Sequence, residues 1–146
     1  MAETSASPRT AVIDWDADQS EYARFLLRAR PEIVQVLRGV AKSRELVTLY
    51  FDQGRHFFLT SLLAVDPEHD ALFLDWGVDG DLNQRALAAS HLVCVTAHER
   101  VKVQFALDGL EQVEWNGRPA FRTHLPKVLL KLQRREYYRL VCPLRA

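Results

Sequence analysis

The stretch Val101-Lys102-Val103-Gln104-Phe105-Ala106-Leu107 decides how this chain folds. Apolar residues at every second position alternate with Lys102, Gln104 and Ala106, which is the period of a β-strand with one buried face. Asp108-Gly109 follows the stretch, and Asn116-Gly117 follows the next apolar run. Both dipeptides are typical of tight hairpin turns, because Asn, Asp and Gly tolerate a positive φ angle. The stretch therefore predicts antiparallel strands joined by short turns.

Further strands are predicted on both sides of this stretch. Runs rich in aliphatic and aromatic residues are separated by turn residues at intervals of about 8–12 residues. The predicted strands are 46–51, 56–65, 71–76, 91–97, 101–107, 110–115 and 120–125, with turns at 52–55 and 66–70. Pro119 cannot donate a ladder hydrogen bond, so it belongs at a strand end or a sheet edge. This strand number fits a closed or nearly closed barrel, although the periodicity itself fits a sandwich equally well.

Apolar residues at helical spacing predict two short N-terminal helices, broken at Arg30-Pro31. The first follows a helix-start signal at Asp18, and the second begins with Pro31, whose missing N–H has no partner in a first turn. Their apolar faces are Tyr22, Phe25, Leu26 and Ala29 in the first helix and Ile33, Val34, Leu37 and Val40 in the second. A third short helix is predicted at 81–89, capped by Asp81. The fold class is therefore α+β: a mostly antiparallel β domain with N-terminal helices.

The composition indicates one globular domain. Of 146 residues, 48% are hydrophobic and 26% are charged, and 19 basic and 19 acidic side chains give a formal net charge of +0. This balance argues against a general nucleic-acid-binding protein, which carries a broad basic excess, but it allows a small anionic ligand held by a local cluster. The N-terminus lacks an apolar signal segment, and no apolar run approaches the roughly 20 residues of a membrane helix. We expect a cytoplasmic protein without membrane insertion.

The sequence contains no motif of a catalytic or metal-binding site. The histidines form neither H-x-x-x-H nor H-E-x-x-H, no serine lies in a nucleophile elbow, and no Gly-rich phosphate loop is present. Cys94 and Cys142 are expected to be free thiols in a reducing compartment. We therefore expect a protein that is not an enzyme and has no cofactor or metal. The histidines concerned are His56, His69, His91, His98 and His124.

The stretch Gln133-Arg134-Arg135-Glu136-Tyr137-Tyr138-Arg139 predicts a ligand site. Arg134, Arg135 and Arg139 are interleaved with two phenol rings. Each guanidinium keeps its charge and presents a rigid fork of donors, which matches a phosphate oxygen pair or the O6/N7 edge of guanine. Its flat face also stacks on a base. The cluster suits a ligand that has both phosphates and purines, whereas a basic run on its own is more often a solvated face.

This stretch resembles the QRRxxxR signature that opens a PilZ domain, a bacterial receptor for cyclic di-GMP. The approach to it is similar to the N-terminal domain of flagellar brake proteins, which precedes a PilZ barrel. The segments that carry this similarity are 115–121, Leu125-Pro126 and 129–132. The resemblance implies that Arg135 and Arg139 are the RxxxR pair, that Arg134 is the preceding arginine, and that all three bind cyclic di-GMP.

The resemblance also implies a split barrel and a domain organisation. The expected parts are a flexible tail at 1–17, the brake-type domain at 18–125, a linker with the arginine motif at 126–139, and the start of a truncated PilZ barrel at 140–146. Within the linker, 126–132 is expected to be an amphipathic connector, at most a helical turn. The family's second motif, D/N-x-S-x-x-G, should follow the arginines; the nearest match, Asp18 to Ala23, precedes them and has Ala in place of Gly.

The function implied by the resemblance is a cyclic di-GMP-responsive regulator of flagellar motility. Ligand would draw the arginine linker against the PilZ barrel and so turn the N-terminal domain toward stator or switch proteins at the flagellar basal body. Two other interpretations stay open. A split barrel can also hold a flavin, and the β surface could be a docking module without any ligand.

Overall fold

The computed structural model describes residues 12–13 and 22–132. Within them the chain forms ten strands, against seven predicted, and two α-helices. The strands are β1 (Leu26–Leu27), β2 (Val47–Phe51), β3 (His56–Thr60), β4 (Leu62–Asp66), β5 (Ala71–Asp75), β6 (Leu92–His98), β7 (Val101–Leu107), β8 (Glu111–Trp115), β9 (Arg118–Thr123) and β10 (Leu129–Leu132). The helices are α1 (Arg30–Lys42) and α2 (Gly80–Ala88), and Ala23–Phe25 and Pro67–His69 form 3-10 turns.

The strands form two antiparallel sheets that enclose one main core. The six-stranded sheet has the order β1-β10-β7-β6-β2-β3, and the four-stranded sheet has the order β4-β5-β9-β8. Phe51, Phe105 and Phe121 are among the largest fully buried side chains, and they belong to the same core cluster. The predicted fold class, a mostly antiparallel α+β domain of the split-barrel type, is confirmed.

Helix α1 has the apolar face that its spacing predicts. Pro31 lies in its first turn, as expected from the missing N–H. At Gly39, an added Cβ would lie 2.7 Å from Nε2 of His98, so this position accepts no larger residue without a shift of the imidazole. The buried face consists of Ile33, Val34, Leu37 and Val40. The second predicted helix is therefore confirmed.

The prediction of a first helix is wrong for the described residues after Tyr22, which form a 3-10 turn and a short strand instead. Phe25 ends a 3-10 turn, and Leu26 begins β1, which pairs with β10 through Leu130. Phe25 packs in a small cluster with Leu130 and Leu132 on the outer face of the six-stranded sheet. This tertiary pairing outweighs the local helical spacing, which is only a weak preference.

The N-cap of helix α2 lies before the predicted capping residue. The N-cap is Asp79 rather than Asp81, and the Asp79 carboxylate accepts a hydrogen bond from the Leu82 N–H at 3.1 Å. Both aspartates suit a helix start, because carboxylates satisfy the free N–H groups and the dipole there. The sequence alone therefore did not separate the cap from a first-turn acid.

The strand predicted at 56–65 is two strands in different sheets. The chain bends at Ser61, where β3 ends and β4 begins. Thr60 Oγ1 donates to the Asp75 carbonyl at 2.7 Å, and the Asp75 N–H donates to the Ser61 carbonyl at 2.9 Å. These bonds hold the corner between the two sheets. A continuous apolar run gives no signal for such a corner.

The two predicted hairpin turns have different outcomes. Asp108-Gly109 does not close a hairpin, because β7 and β8 lie in different sheets; the Gly109 carbonyl instead accepts a hydrogen bond from Thr123 Oγ1 at 2.6 Å. Asn116-Gly117 closes the β8–β9 hairpin, with φ angles of 49° and 81°. Two positive φ angles are what a two-residue turn of this kind requires, so the second prediction is confirmed.

The connector predicted at 126–132 is wrong for its last four residues. Leu129–Leu132 is strand β10, which lies between β1 and β7 in the six-stranded sheet. Leu129 contributes to the main core, and Leu130 and Leu132 are buried on the opposite face. An internal strand is the element that buries apolar residues on both faces at once. The sheet therefore extends to Leu132 instead of ending at 125.

Candidate functional site

The chain leaves the described domain at the end of β10, beside β7. In the register of these strands, Leu130 pairs with Gln104 and Leu132 pairs with Lys102. Gln133, the first residue of the arginine stretch, follows Leu132 directly. The predicted ligand-binding residues Arg134, Arg135 and Arg139 lie outside the described residues, so their arrangement stays a prediction. What the structure does describe is the strand that precedes them.

Lys102 is a buried cation opposite the last described residue. Its residue surface is 5% exposed, and burial lowers the pKa of its ammonium group from 10.5 to about 8. Its partners in the strand register are Ala97 in β6 and Leu132 in β10. The predicted alternation placed Lys102 on a solvated face, and this is wrong because both faces of β7 are covered. No feature of the sequence distinguished Lys102 from a surface lysine.

A short N-terminal segment covers the same outer face. The Gln104 side chain accepts a hydrogen bond from the Ile13 N–H at 2.8 Å and donates one to the Ile13 carbonyl at 2.7 Å. Ile13 also packs against the cluster of Phe25, Leu130 and Leu132. A side-chain amide matches both polar groups of one backbone residue, as a neighbouring strand would. The N-terminal segment is thereby hydrogen-bonded to β7 and packed against β10, the strand through which the chain leaves the domain.

A second polar cluster joins α1 to the segment between β9 and β10. Asp70 accepts hydrogen bonds from Arg30 Nη2 at 3.3 Å and from the Leu125 N–H at 3.2 Å, and His124 Nδ1 lies 3.0 Å from its other oxygen. Partial desolvation raises the pKa of Asp70, but the Leu125 N–H, Arg30 and His124 together outweigh it, so the pKa is lowered. The cluster contributes to the position of the chain just before β10.

Among the described residues, one group of side chains has the spacing of metal ligands. The candidate ligand atoms of Asp66, Glu68 and His69 lie within 4.8 Å of one another. His69 Nδ1 is 2.8 Å from an Asp66 oxygen, and this hydrogen bond is the largest contribution lowering the pKa of Asp66. Glu68 and His69 are exposed in a surface turn. The geometry is accounted for by a local Asp–His hydrogen bond, and it gives no independent indication of an ion.

The flavin interpretation requires a cavity with a phosphate-binding group. A surface cavity of about 530 Å³ lies between the β2–β3 turn and the end of α2. Its polar lining includes Arg55 and His91, but also the Asp52 carboxylate. One arginine and one aspartate give no excess of fixed positive charge for a nucleotide phosphate. The cavity therefore does not match the basic or Ser/Thr-rich site that this interpretation needs.

Neither helix in the described part of the chain is long and apolar enough to cross a membrane.

Cys94 is a free, fully buried cysteine, and burial raises the pKa of its thiol, which disfavours the reactive thiolate. Cys142 lies outside the described residues. Cys94 therefore acts as a small apolar core residue.

Comparison with protein families gives a match over most of the domain. The family model described as "Flagellar regulator YcgR, PilZN domain" matches residues 25–131. The flagellar brake protein YcgR of Thauera aminoaromatica is 40% identical over 145 residues, which is 99% of this chain and 55% of that protein. The protein of the same name from Nitrosomonas eutropha is 38% identical over 117 residues, which is 80% of this chain and 44% of that protein. The chain thus spans about half the length of these relatives.

Solved structures give the same result at the level of the fold. The structure of Escherichia coli YcgR in complex with c-di-GMP superposes with a TM-score of 0.73 at 30% sequence identity, covering 77% of this chain and 48% of that one. The isolated YcgR-N domain of the same organism superposes with a TM-score of 0.69 at 29% identity, covering 75% of this chain and 96% of that one. The similarity is therefore to the N-terminal domain of a longer protein.

Proposed function

The chain belongs to the PilZN family of flagellar regulators, and from this premise we propose that it is the N-terminal interaction domain of a cyclic di-GMP-responsive regulator of flagellar motility. Relatives that share the domain are named flagellar brake proteins. A structural neighbour at 30% identity was solved with c-di-GMP bound. Each of these proteins is about twice as long as the matched region, so ligand and partners are proposed for this chain.

The position of β10 is the observation that carries the proposal. β10 is an internal strand, and it ends directly at the arginine stretch. A ligand that moved these arginines would pull on a strand hydrogen-bonded on both sides. Displacement would therefore be transmitted to the whole six-stranded sheet, because an internal strand cannot slide without breaking its ladders. The arginine stretch follows this paired strand directly in the sequence, which suits a domain that rotates as a unit.

The arginine stretch supplies the chemistry for a cyclic dinucleotide. Arg134, Arg135 and Arg139 are proposed to bind the phosphates and guanine edges of cyclic di-GMP, with Arg135 and Arg139 as the RxxxR pair. Each charge-assisted hydrogen bond contributes about 1.5–3 kcal/mol. Loss of one arginine should therefore weaken binding roughly tenfold to a hundredfold. No cofactor or catalytic group is needed for this role, which is a binding function and not an enzymatic one.

The proposed mechanism is a reorientation of this domain. Ligand gathers the linker arginines against a PilZ barrel such as the one expected beyond 140, and the domain turns toward a stator or switch protein of the flagellar motor. The division into a tail at 1–17, a domain reaching Leu132, and a linker to Arg139 follows from this proposal. The regulator would act in the cytoplasm at the flagellar basal body.

The experiment joins this chain to the part of the Thauera aminoaromatica protein that lies beyond the matched region. Cyclic di-GMP binding is measured by calorimetry for the 146-residue chain, for the chimera, and for chimeras carrying Arg135→Ala or Arg139→Ala. The chain alone should bind weakly or not at all, and the chimera should bind well. Each variant should lose about tenfold to a hundredfold in affinity. Arg118→Ala is the matched control, because Arg118 is an exposed arginine of β9.

Three results would count against the proposal. A chimera that releases no heat with cyclic di-GMP would favour a docking module without a ligand. Variants that lower the thermal midpoint by more than roughly 4 °C would show that the arginines are structural. A flavin absorbance band in the purified chain would favour the flavin interpretation instead.

A further inference from the structure

The sequence contains two asparagines, and the fold places them in opposite surroundings. Asn83 in helix α2 is 1% exposed, and its side-chain amide accepts a hydrogen bond from the Gly77 N–H at 3.1 Å and donates one to the Gly77 carbonyl at 2.7 Å. Asn116 is exposed at the tip of the β8–β9 hairpin, and its amide makes no hydrogen bond with any other described residue. The amide of Asn83 is therefore held in place, whereas that of Asn116 is not.

The backbone of the hairpin turn is able to change its type. Asn116 and Gly117 have φ angles of 49° and 81°, the pair of positive values that defines a type I′ turn. In a type II′ turn the first residue keeps its positive φ and only the second becomes negative. A flip of the peptide group between the two residues interconverts these types, and glycine tolerates either sign of φ. A Cβ built on Gly117 would meet no described atom within 4 Å, so no neighbour opposes the flip.

The type II′ arrangement brings the Gly117 nitrogen toward the side-chain carbonyl carbon of Asn116. A five-membered ring through these two atoms needs an asparagine ψ angle of about −120°, which is the value at the first central residue of a type II′ turn. Glycine has no side chain to shield its nitrogen from the amide. Asn83 lies inside helix α2, where ψ is about −42° and the same ring does not close. The fold therefore leaves Asn116 reactive and protects Asn83.

We infer that Asn116 is a modification site, at which the folded protein loses ammonia and forms aspartate and isoaspartate without an enzyme. The Gly117 nitrogen forms a bond to Cγ of Asn116, the Cγ–Nδ2 bond breaks, and the proton of the Gly117 N–H leaves with Nδ2 as ammonia. Water then adds across one of the two ring C–N bonds of the cyclic imide. Opening at Cγ gives aspartate, and opening at the backbone carbonyl gives isoaspartate. Each product carries a new carboxylate, and no oxidant or reductant takes part.

The isoaspartyl product alters the β8–β9 hairpin. Its backbone runs through the former side chain, so an additional carbon atom lies between Trp115 and Arg118, which are paired across the turn. Because loop length fixes the strand register of a hairpin, the longer turn disfavours this pairing. The Trp115 ring lies 4.9 Å from the Phe73 ring, and a shift of the turn also disturbs this aromatic contact. The modification therefore loosens the edge strand of the four-stranded sheet.

The test incubates the 146-residue protein in a mildly alkaline, non-denaturing buffer and follows each asparagine by peptide mapping and mass spectrometry. Asn116 should convert to aspartate and isoaspartate, and Asn83 should react at least about tenfold more slowly, because its hydrogen bonds must break first. Hydroxylamine, which opens a cyclic imide, should cut the chain between Asn116 and Gly117. Asn116→Gly is the matched control, since Gly-Gly also suits a two-residue turn, and it should not be cut.

Asn116→Asp separates the two effects of the modification, because it carries the new charge without the additional backbone atom. The purified isoaspartyl form should unfold at a lower urea concentration than Asn116→Asp, and equal midpoints would overturn the effect on the hairpin. Equal reaction rates at Asn116 and Asn83, or aspartate as the sole product, would overturn the modification site. A rate at Asn116 that falls when sucrose stabilises the fold would place the reaction in the unfolded chain and also overturn it. No nucleotide is present, so these outcomes are independent of the proposed function.

Discussion

Replacement of Lys102 by methionine should stabilise the domain at neutral pH. Burial lowers the pKa of this lysine from 10.5 to about 8, a difference of about 2.5 units. One pKa unit corresponds to about 1.4 kcal/mol, so keeping the ammonium charged in the folded state costs about 3.5 kcal/mol. Methionine has a similar length and no charge to desolvate. Lys102 also makes a polar or ionic interaction, and its loss would offset part of this gain. The expected increase in the free energy of unfolding is therefore about 2 kcal/mol.

The sign of the pH dependence gives a sharper test. Between pH 8 and 10.5 the unfolded chain holds a proton on Lys102 that the folded chain has released. Stability in this window therefore rises with pH for the original chain, and below the folded pKa it reaches its lower plateau. Lys102→Met should remove that rise. Urea unfolding followed by tryptophan fluorescence from neutral pH to the alkaline limit measures the difference between the two proteins.

Lys127→Met is the control, since Lys127 is exposed and its charge stays in water. Its unfolding free energy should change by less than about 0.5 kcal/mol at every pH. Other groups titrate in the same window, but their contributions cancel in the difference between two proteins that share them. Lower stability of Lys102→Met than of the original chain at neutral pH, or parallel stability profiles through the window, would refute a desolvation cost at Lys102.

Two further predictions concern the polar contacts. Gln104→Leu removes both hydrogen bonds to Ile13, so it should lower the free energy of unfolding by about 1–3 kcal/mol and speed proteolysis near the N-terminus. Gln112→Leu is the control, because Gln112 is an exposed residue of β8. Equal proteolysis of the two variants would show that Gln104 does not hold the N-terminal segment. The pKa of the Asp70 carboxylate is lowered from 3.8 in the folded state, so the ionised group stabilises the fold above pH 3.8. That stability is lost as the pH falls through the pKa of the folded state. Asp70→Asn should therefore flatten the acid side of the profile of unfolding free energy against pH. Since Asp70 is about half exposed, the effect should be under about 1 kcal/mol, and an unchanged acid profile would contradict its role.

The parts of the fold that follow local rules were predictable from the sequence. The buried face of α1 and the Asn116-Gly117 turn depend on residues close together in the chain. The fold class followed from the period-two pattern and from the spacing of turn residues. The family followed from the approach to the arginine stretch, and the match over residues 25–131 confirms it.

The remaining features depend on contacts between distant residues. Leu26–Leu27 is a strand because β10, about a hundred residues later, pairs with it. Leu129–Leu132 has the composition of either a helical turn or a strand, and its position between two strands decides the matter. Lys102 lies in an internal strand, paired with β6 on one side and with the later strand β10 on the other, and the local alternation does not reveal this position. The arginine site stays a prediction, because Arg134, Arg135 and Arg139 lie outside the described residues.

The place of β10 also has a consequence for biosynthesis. The ribosome makes Leu26–Leu27 early, yet the only strand that pairs with it in the described sheet emerges near the end of the domain. A nascent chain that has not yet released Leu132 from the exit tunnel cannot complete the six-stranded sheet. Its unpaired β7 edge stays available to chaperones or to other nascent chains for that time. Translation speed just after Leu132 is therefore a variable that should control the yield of folded protein.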